Sequence, residues 1–253
     1  MSFAIETRDL TLRFGSFTAV NAVSLQVRKG ARHAIIGPNG AGKTSLVHAL
    51  TGSIPSTSGR VFISGRDMTG SSQRARVRSG LTRTFQINQL FPKLTVLDNV
   101  CMAILEREQR SKVFWTSMAA ERSVLEEGRE LLELAQLGPQ ADMVVASLPY
   151  GMRRLVEIAI ALATRPDIIV LDEPAAGVPT TQSEAIFERI AALPRDLTLL
   201  FVEHDMNLVF RFAERITVLA EGAIMTEGTP AEISKDEGVR EVYLGRGGHH
   251  AAA

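Results

Sequence analysis

Cysteine is almost missing from this chain of 253 residues: Cys101 is the only one, so no intramolecular disulfide can form and a reducing, cytosolic setting is expected. Net charge is missing as well. Lysine plus arginine and aspartate plus glutamate both number 28, so no global field draws the chain to nucleic acid or anionic lipid, and no nucleic-acid partner is expected. No stretch comes near the roughly 18–20 uninterrupted apolar residues of a membrane span, so any membrane role has to come through a partner. The start, Met1-Ser2-Phe3-Ala4-Ile5-Glu6, has no basic region followed by an apolar run, and no signal peptide is expected. The length leaves room for one large domain or two small ones, with a sizeable core either way.

What is present centres on Gly37-Pro38-Asn39-Gly40-Ala41-Gly42-Lys43-Thr44-Ser45, which fits the pattern G-x-x-x-x-G-K-[ST] at every fixed position. Ala34-Ile35-Ile36 before it reads as a short buried strand, and Leu46-Val47-His48-Ala49-Leu50 after it as the first turns of a helix. Glycines let successive N–H groups curl inward around phosphate oxygens, and the helix adds the positive end of its dipole. Lys43 is placed to reach the β- and γ-phosphates, and the Thr44 hydroxyl to ligate Mg2+.

Residues 3–30 read as antiparallel sheet, with Val23–Val27 alternating apolar and polar before the turn at Lys29-Gly30. Phe14, just before Gly15, lies in a turn between two such strands, where it either fills core or stacks on a nucleotide base. Arg74, Arg76, Arg78 and Arg83 read as a solvated helix face rather than a nucleic-acid contact. From about Asn88 to Ala146 the strand signals stop. Leu94–Leu105 and Met118–Leu137 have helical period, so this stretch reads as a helical insertion, with Val113-Phe114-Trp115 packed under its helices. Alternation then resumes with a helix over Arg153–Ala163, a buried strand over Asp167–Asp172 and a helix over Ser183–Ala192. A second buried strand over Leu197–Val202 and a hairpin of Ile216–Ala220 and Ala223–Thr226 close the fold. The Gly, His and Ala tail from Gly245 is expected to be disordered.

Two strand ends carry further chemistry. Asp172 sits at the carboxyl end of its strand, where open α/β sheets bind ligands, and a carboxylate there can hold Mg2+ through its water shell. Glu173 follows as a general base for a water aimed at a γ-phosphorus. The other strand ends in Val202-Glu203-His204-Asp205, which puts His204 at the same edge as a hydrogen-bond donor to the γ-phosphate. Gln86, where the core gives way to the insertion, can contact water or Mg2+ while sensing movement of the insertion.

Taken in order, Gly37–Ser45, Gln86, Ser147–Arg154, Leu171-Asp172-Glu173-Pro174 and His204 resemble an ABC transporter ATP-binding subunit over residues 4–245. Arg83-Thr84-Phe85-Gln86, Tyr150-Gly151, Glu173–Gly177, Glu203–Met206 and Tyr243-Leu244-Gly245 are similar to the LivG-type subfamily, which powers uptake of branched-chain amino acids. The resemblance implies an α/β fold: a P-loop NTPase (RecA-like) core, an N-terminal antiparallel β subdomain and an inserted α-helical subdomain. It implies one nucleotide-binding domain over 1–245, with core 1–87 and 160–245, helical subdomain about 88–160, and tail 246–253. The implied cofactors are ATP and Mg2+. Phe14 becomes the base-stacking ring, and residues 87–105 line the groove for the membrane subunits. The implied partners are two transmembrane permease subunits, indirectly a solute-binding protein, and a second ATP-binding subunit, expected to be a distinct chain, with a second copy of this one as the alternative. The site is then peripheral, on the cytoplasmic face of the plasma membrane. Rival readings are an importer of urea, other amides or aromatic acids, a lipid or lipopolysaccharide exporter ATPase, a soluble ABC machine in repair or translation, and a module that only binds nucleotide.

The signature loop, which in this family acts on the partner's ATP, departs from the usual pattern. It reads Leu148-Pro149-Tyr150-Gly151-Met152, with Pro149 where the subfamily keeps a small residue and Met152 where it keeps Gln. Proline removes an N–H, and methionine cannot donate a hydrogen bond. Val178-Pro179 also stands where an Asp or Asn is usual. An asymmetric pair is expected, in which the site built on Lys43 and Glu173 turns over and the opposite one is slow. Restoring Pro149→Ser and Met152→Gln should raise turnover of the assembled transporter, by roughly ten- to hundredfold at the slow site. A steady-state rate unchanged in that double variant would refute the asymmetry.

Overall fold

Short apolar runs bounded by turns become the central strands. The computed structural model describes residues 2–84, 90–110 and 122–244, so Gln86, Val113-Phe114-Trp115 and the tail from Gly245 lie outside the described residues. Strands β4 (Arg32–Ile36), β7 (Leu81–Arg83), β8 (Ile168–Asp172), β9 (Thr198–Val202), β10 (Arg215–Ala220) and β11 (Ala223–Gly228) form one sheet in the order β11-β10-β4-β9-β8-β7. Every neighbouring pair is parallel except the β10–β11 hairpin.

Side chains alternate across a strand, and each central strand feeds two cores. Ala34, Ile36, Ile169, Leu171, Leu199, Phe201, Ile216 and Val218 face one, with the helices of the insertion and the chain's C-terminal half. Ile35, Ile168, Val170, Leu200, Val202 and Leu219 face the other. That second face is covered by α1 (Lys43–Thr51) and by an antiparallel sheet of β1 (Phe3–Phe14), β2 (Phe17–Val23), β3 (Gln26–Arg28), β5 (Ser58–Ile63) and β6 (Arg66–Asp67). With both faces covered, the central strands have no polar face, as their near-continuous apolar runs require.

Between β7 and β8 the described residues form helices and no strand: α3 (Val96–Arg107), α4 (Arg122–Leu134) and α5 (Tyr150–Ala163). Thr95 and Asp98 close a reciprocal capping box at the start of α3. Gly128 of α4 lets the two helices approach: a Cβ there would lie 2.9 Å from Leu97 and 3.0 Å from Cys101. Arg107 of α3 joins them again through both nitrogens of its fork on Glu127, at 2.6 and 2.9 Å. The period of Arg153–Ala163 marks a helix that in fact begins at Tyr150, so the signature residues occupy its first turn and Pro149 its N-cap.

The arginine run needs correction in part, although Arg74 and Arg78 are exposed on their helix as expected. Arg76, on α2 (Gln73–Arg78), is not solvated but buried, and its Nη1 donates to the carbonyls of Ala49 and Leu50 at 2.7 and 2.5 Å. Those carbonyls end α1, where a cation meets the negative end of the helix dipole. Arg32 plays a similar part, donating to the carbonyls of Leu193, Pro194 and Leu197 beyond α6 (Thr180–Ala191). The remaining helices are α7 (Met206–Phe212), α8 (Pro230–Ile233) and α9 (Glu237–Leu244). Among the described residues, no helix is long and apolar enough to cross a membrane.

Two buried titratable groups pull stability in opposite directions with pH. Burial raises the Glu157 carboxyl from 4.5 to about 7, against the pull of Arg154. Between those values the folded chain holds a proton that the unfolded chain has released, so this contribution falls as pH rises. Burial also pushes His33 from 6.5 down to about 4, opposed by Glu227. There the unfolded chain binds the extra proton, and stability rises with pH over that window. Glu157→Gln should leave only the rising part. The variant's urea-derived stability should gain on the wild type by about 2–3 kcal/mol between about pH 5 and about pH 7. A constant difference across that range would mean that Glu157 titrates normally.

Candidate active site

The loop from β4 into α1 is held open by close backbone approaches that only glycine permits. At Gly42 φ is +94°, and a Cβ would lie 2.2 Å from the Ala19 carbonyl oxygen. At Gly37 one would lie 2.2 Å from the Leu219 carbonyl oxygen. The Gly222 N–H donates to the Ala41 carbonyl at 3.1 Å, so the β10–β11 turn backs the loop. No side chain caps α1, which leaves its first N–H groups to an anion. Lys43 is buried, and its Nζ donates to the carbonyls of Gly37 at 2.7 Å and Pro38 at 3.1 Å. Burial lowers its pKa, and the charges of Glu173 and Asp172 oppose that shift.

The parallel register sets Asp172 opposite Val202, which brings the two strand ends together as the sequence led one to expect. Glu173 has a left-handed backbone, φ +51°, and its N–H donates to the Val202 carbonyl at 3.0 Å. A glutamate in that region is strained, and here the strain aims a carboxylate. His204 Nε2 lies 2.5 Å from Glu173 Oε1, with both side chains more than a third exposed. Below them Glu203 is buried and accepts the N–H groups of Ala175 at 2.9 Å and His204 at 3.1 Å. Burial raises its pKa, while these two bonds oppose the rise. Glu203 therefore ties the turn after Glu173 to the turn carrying His204. The sequence names it only as a neighbour of His204, because its importance depends on burial.

A cavity of about 250 Å³ joins these parts, lined by Phe17, Ala19, Asn39 to Ser45, Glu173 and His204. Phe17 belongs to that wall, whereas Phe14 pairs with it across the Gly15-Ser16 turn. Both rings are exposed. None of Leu148, Pro149, Tyr150, Gly151 and Met152 lines the cavity. Tyr150 is exposed on the first turn of α5 beside Gly177, and Met152 packs against the helical core. Tyr243 of α9 is a second residue whose role the sequence hides. Burial raises its pKa to about 12, and the backbone of Gly37 in the phosphate loop opposes the rise.

Among the described residues, no cluster of three or more His, Cys, Asp or Glu could hold a metal by itself. Thr44 and Asp172 instead offer hard oxygen donors of the kind Mg2+ takes alongside phosphate oxygens and water, so the donor set fits Mg2+ brought in with a nucleotide.

Comparison with known proteins agrees with this geometry. Residues 20–176 match the ABC transporter family model, and residues 224–249 match that of the branched-chain amino acid ATP-binding cassette transporter. The chain is 36% identical to the high-affinity branched-chain amino acid transport ATP-binding protein BraF of Pseudomonas aeruginosa, over 95% of this chain and 97% of that one. It is also 36% identical to LivG of Salmonella typhimurium, described in the same words, with the same coverage. The structure of the ADP conformation of an ATP-binding cassette of an ABC transporter superposes with a TM-score of 0.85 at 32% identity, over 97% of this chain and 99% of that one. With its phosphate loop, its paired strand ends and these likenesses along nearly its whole length, the chain belongs to the ATP-binding cassette family of ABC transporter ATPases.

Proposed function

We propose that this chain is the ATP-hydrolysing subunit of an importer for branched-chain amino acids or closely related small solutes. The observation that carries the reading is Glu173, held on a left-handed backbone beside His204 and facing the cavity floored by the phosphate loop. The names of the relatives support the solute class.

In this reading the N–H groups around Gly37, Asn39, Gly40, Ala41, Gly42 and Ser45 hold the phosphates, and Lys43 turns from its loop carbonyls to the β- and γ-oxygens. Phe14 stacks on the base, with Phe17 at the cavity wall. Glu173 takes a proton from the attacking water as its oxygen bonds to the γ-phosphorus and the bond to the β–γ bridging oxygen breaks, leaving ADP and phosphate. His204 orients Glu173 and donates to the γ-phosphate. Thr44, Asp172 and Gln86 would hold Mg2+, which when bound would neutralise charge on the phosphate oxygens.

The cavity is smaller than the roughly 300–1,000 Å³ usual for a ligand site, which supports a site closed by a second subunit. Leu148, Pro149, Tyr150, Gly151 and Met152 act in turn on that partner's nucleotide. Pro149 and Met152 favour a distinct partner over a second copy. Two permease subunits hold the pair at the cytoplasmic face of the plasma membrane and receive solute from a binding protein.

The decisive experiment is Mg2+-dependent ATPase activity across protein concentration, with and without Glu173→Gln. Turnover should fall by roughly 10²–10⁴-fold in the variant, which keeps the site's shape and should trap a closed ATP-bound dimer. A variant as fast as wild type would refute the assignment of the base. Glu203→Gln should keep nucleotide binding while lowering turnover roughly tenfold or more, because one of its two accepting oxygens becomes an NH2 group. Equal loss of binding and turnover would make Glu203 a folding residue only.

A further inference from the structure

Asp172 already has a cation. Arg83, the last residue of β7, places its Nη2 2.5 Å from Asp172 Oδ2, with both side chains 15% exposed. The same guanidinium directs Nη1 at His48 Nδ1, 3.2 Å away. His48 lies on α1, one helical turn beyond Thr44, so a single side chain joins the phosphate-loop helix, the edge strand and the strand carrying Asp172. The fork is anchored at both ends and cannot swing freely. Among the described residues Arg83 is the only ion-pair partner of Asp172, and Asp172 Oδ1 has no hydrogen-bond partner. The burial and pairing of Arg83 also correct the solvated face expected for the arginine run.

We propose that Arg83 is a positioning residue for the metal carboxylate. It holds Asp172 by one oxygen and leaves the other for the hydration shell of Mg2+. Its positive charge beside the carboxylate also sets how tightly the dication is held. The two effects have opposite signs for binding and catalysis. Removing the charge tightens metal binding, because a unit charge no longer faces the dication across the carboxylate. Removing the fork lets Asp172 rotate, so a tighter metal is a worse placed one. A residue that only supported the fold would lower both together. The proposal rests on the reading of Asp172 as the Mg2+ carboxylate.

The test is a titration of Mn2+ into the chain bound to a non-hydrolysable ATP analogue, following free Mn2+ by electron paramagnetic resonance, alongside kcat with Mg2+. In Arg83→Gln the Mn2+ dissociation constant should fall roughly tenfold, the size expected for one unit charge facing a dication in a water-like dielectric, while kcat also falls. Arg83→Lys, which keeps the charge but not the fork, should restore the wild-type Mn2+ affinity without restoring kcat. Arg83→Met, which keeps the apolar stem, repeats the measurement if the Gln variant does not fold. An Mn2+ affinity unchanged or weakened in a folded, uncharged variant overturns the proposal. Asp172→Asn separates the two readings. If it leaves Mn2+ binding unchanged, the assignment of Asp172 fails; if it weakens binding while Arg83→Gln does not tighten it, only the role of Arg83 fails.

Discussion

The register between β8 and β9 is the constraint on which the site depends. With Asp172 opposite Val202, and the Glu173 N–H bonded to the Val202 carbonyl, the two chains leave the sheet side by side. Glu173 and His204 then meet, and Glu203 reaches back to bond both turns. A slip of β8 by one residue would turn Asp172 to the opposite face and exchange the two cores along that strand. The alternation of Ile168, Ile169, Val170 and Leu171 between those cores resists that slip. The apolar packing beneath the sheet edge is therefore what aims the charged groups above it.

Several enclosed charges meet the backbone where the backbone is unsatisfied. Arg76 takes the carbonyls that end α1, and Arg32 those beyond the end of α6. Glu203 does the reverse and accepts N–H groups from two turns. Each provides for a turn what a capping residue provides for a helix, with its partner far away in sequence. Lys43 follows the same pattern through the carbonyls of its own loop.

What could be read from the chain alone follows from how local each feature is. The phosphate loop is legible because its chemistry is backbone chemistry, with Gly37 and Gly42 required by their surroundings and Lys43 at a fixed offset. The central strands are legible because burial on both faces writes itself as an apolar run. The roles of Arg76, Arg83 and Glu203 were hidden, since a charge in sequence looks the same whether it is solvated or enclosed, and only tertiary neighbours decide. Phe17 was passed over for Phe14 because the turn between them is local, whereas the wall of the cavity is not. Tyr243 was noted as part of a motif, but its interaction with the Gly37 backbone spans nearly the whole chain.

Such long-range dependence has a consequence for biosynthesis. The phosphate loop leaves the ribosome early, but β4 pairs with β9 and β10, which follow more than 160 residues later. Its final brace, Tyr243, comes on the last described helix. Contacts so distant in sequence form slowly and late. The nascent chain thus carries its phosphate-binding motif well before the strands that hold that motif in shape have been made.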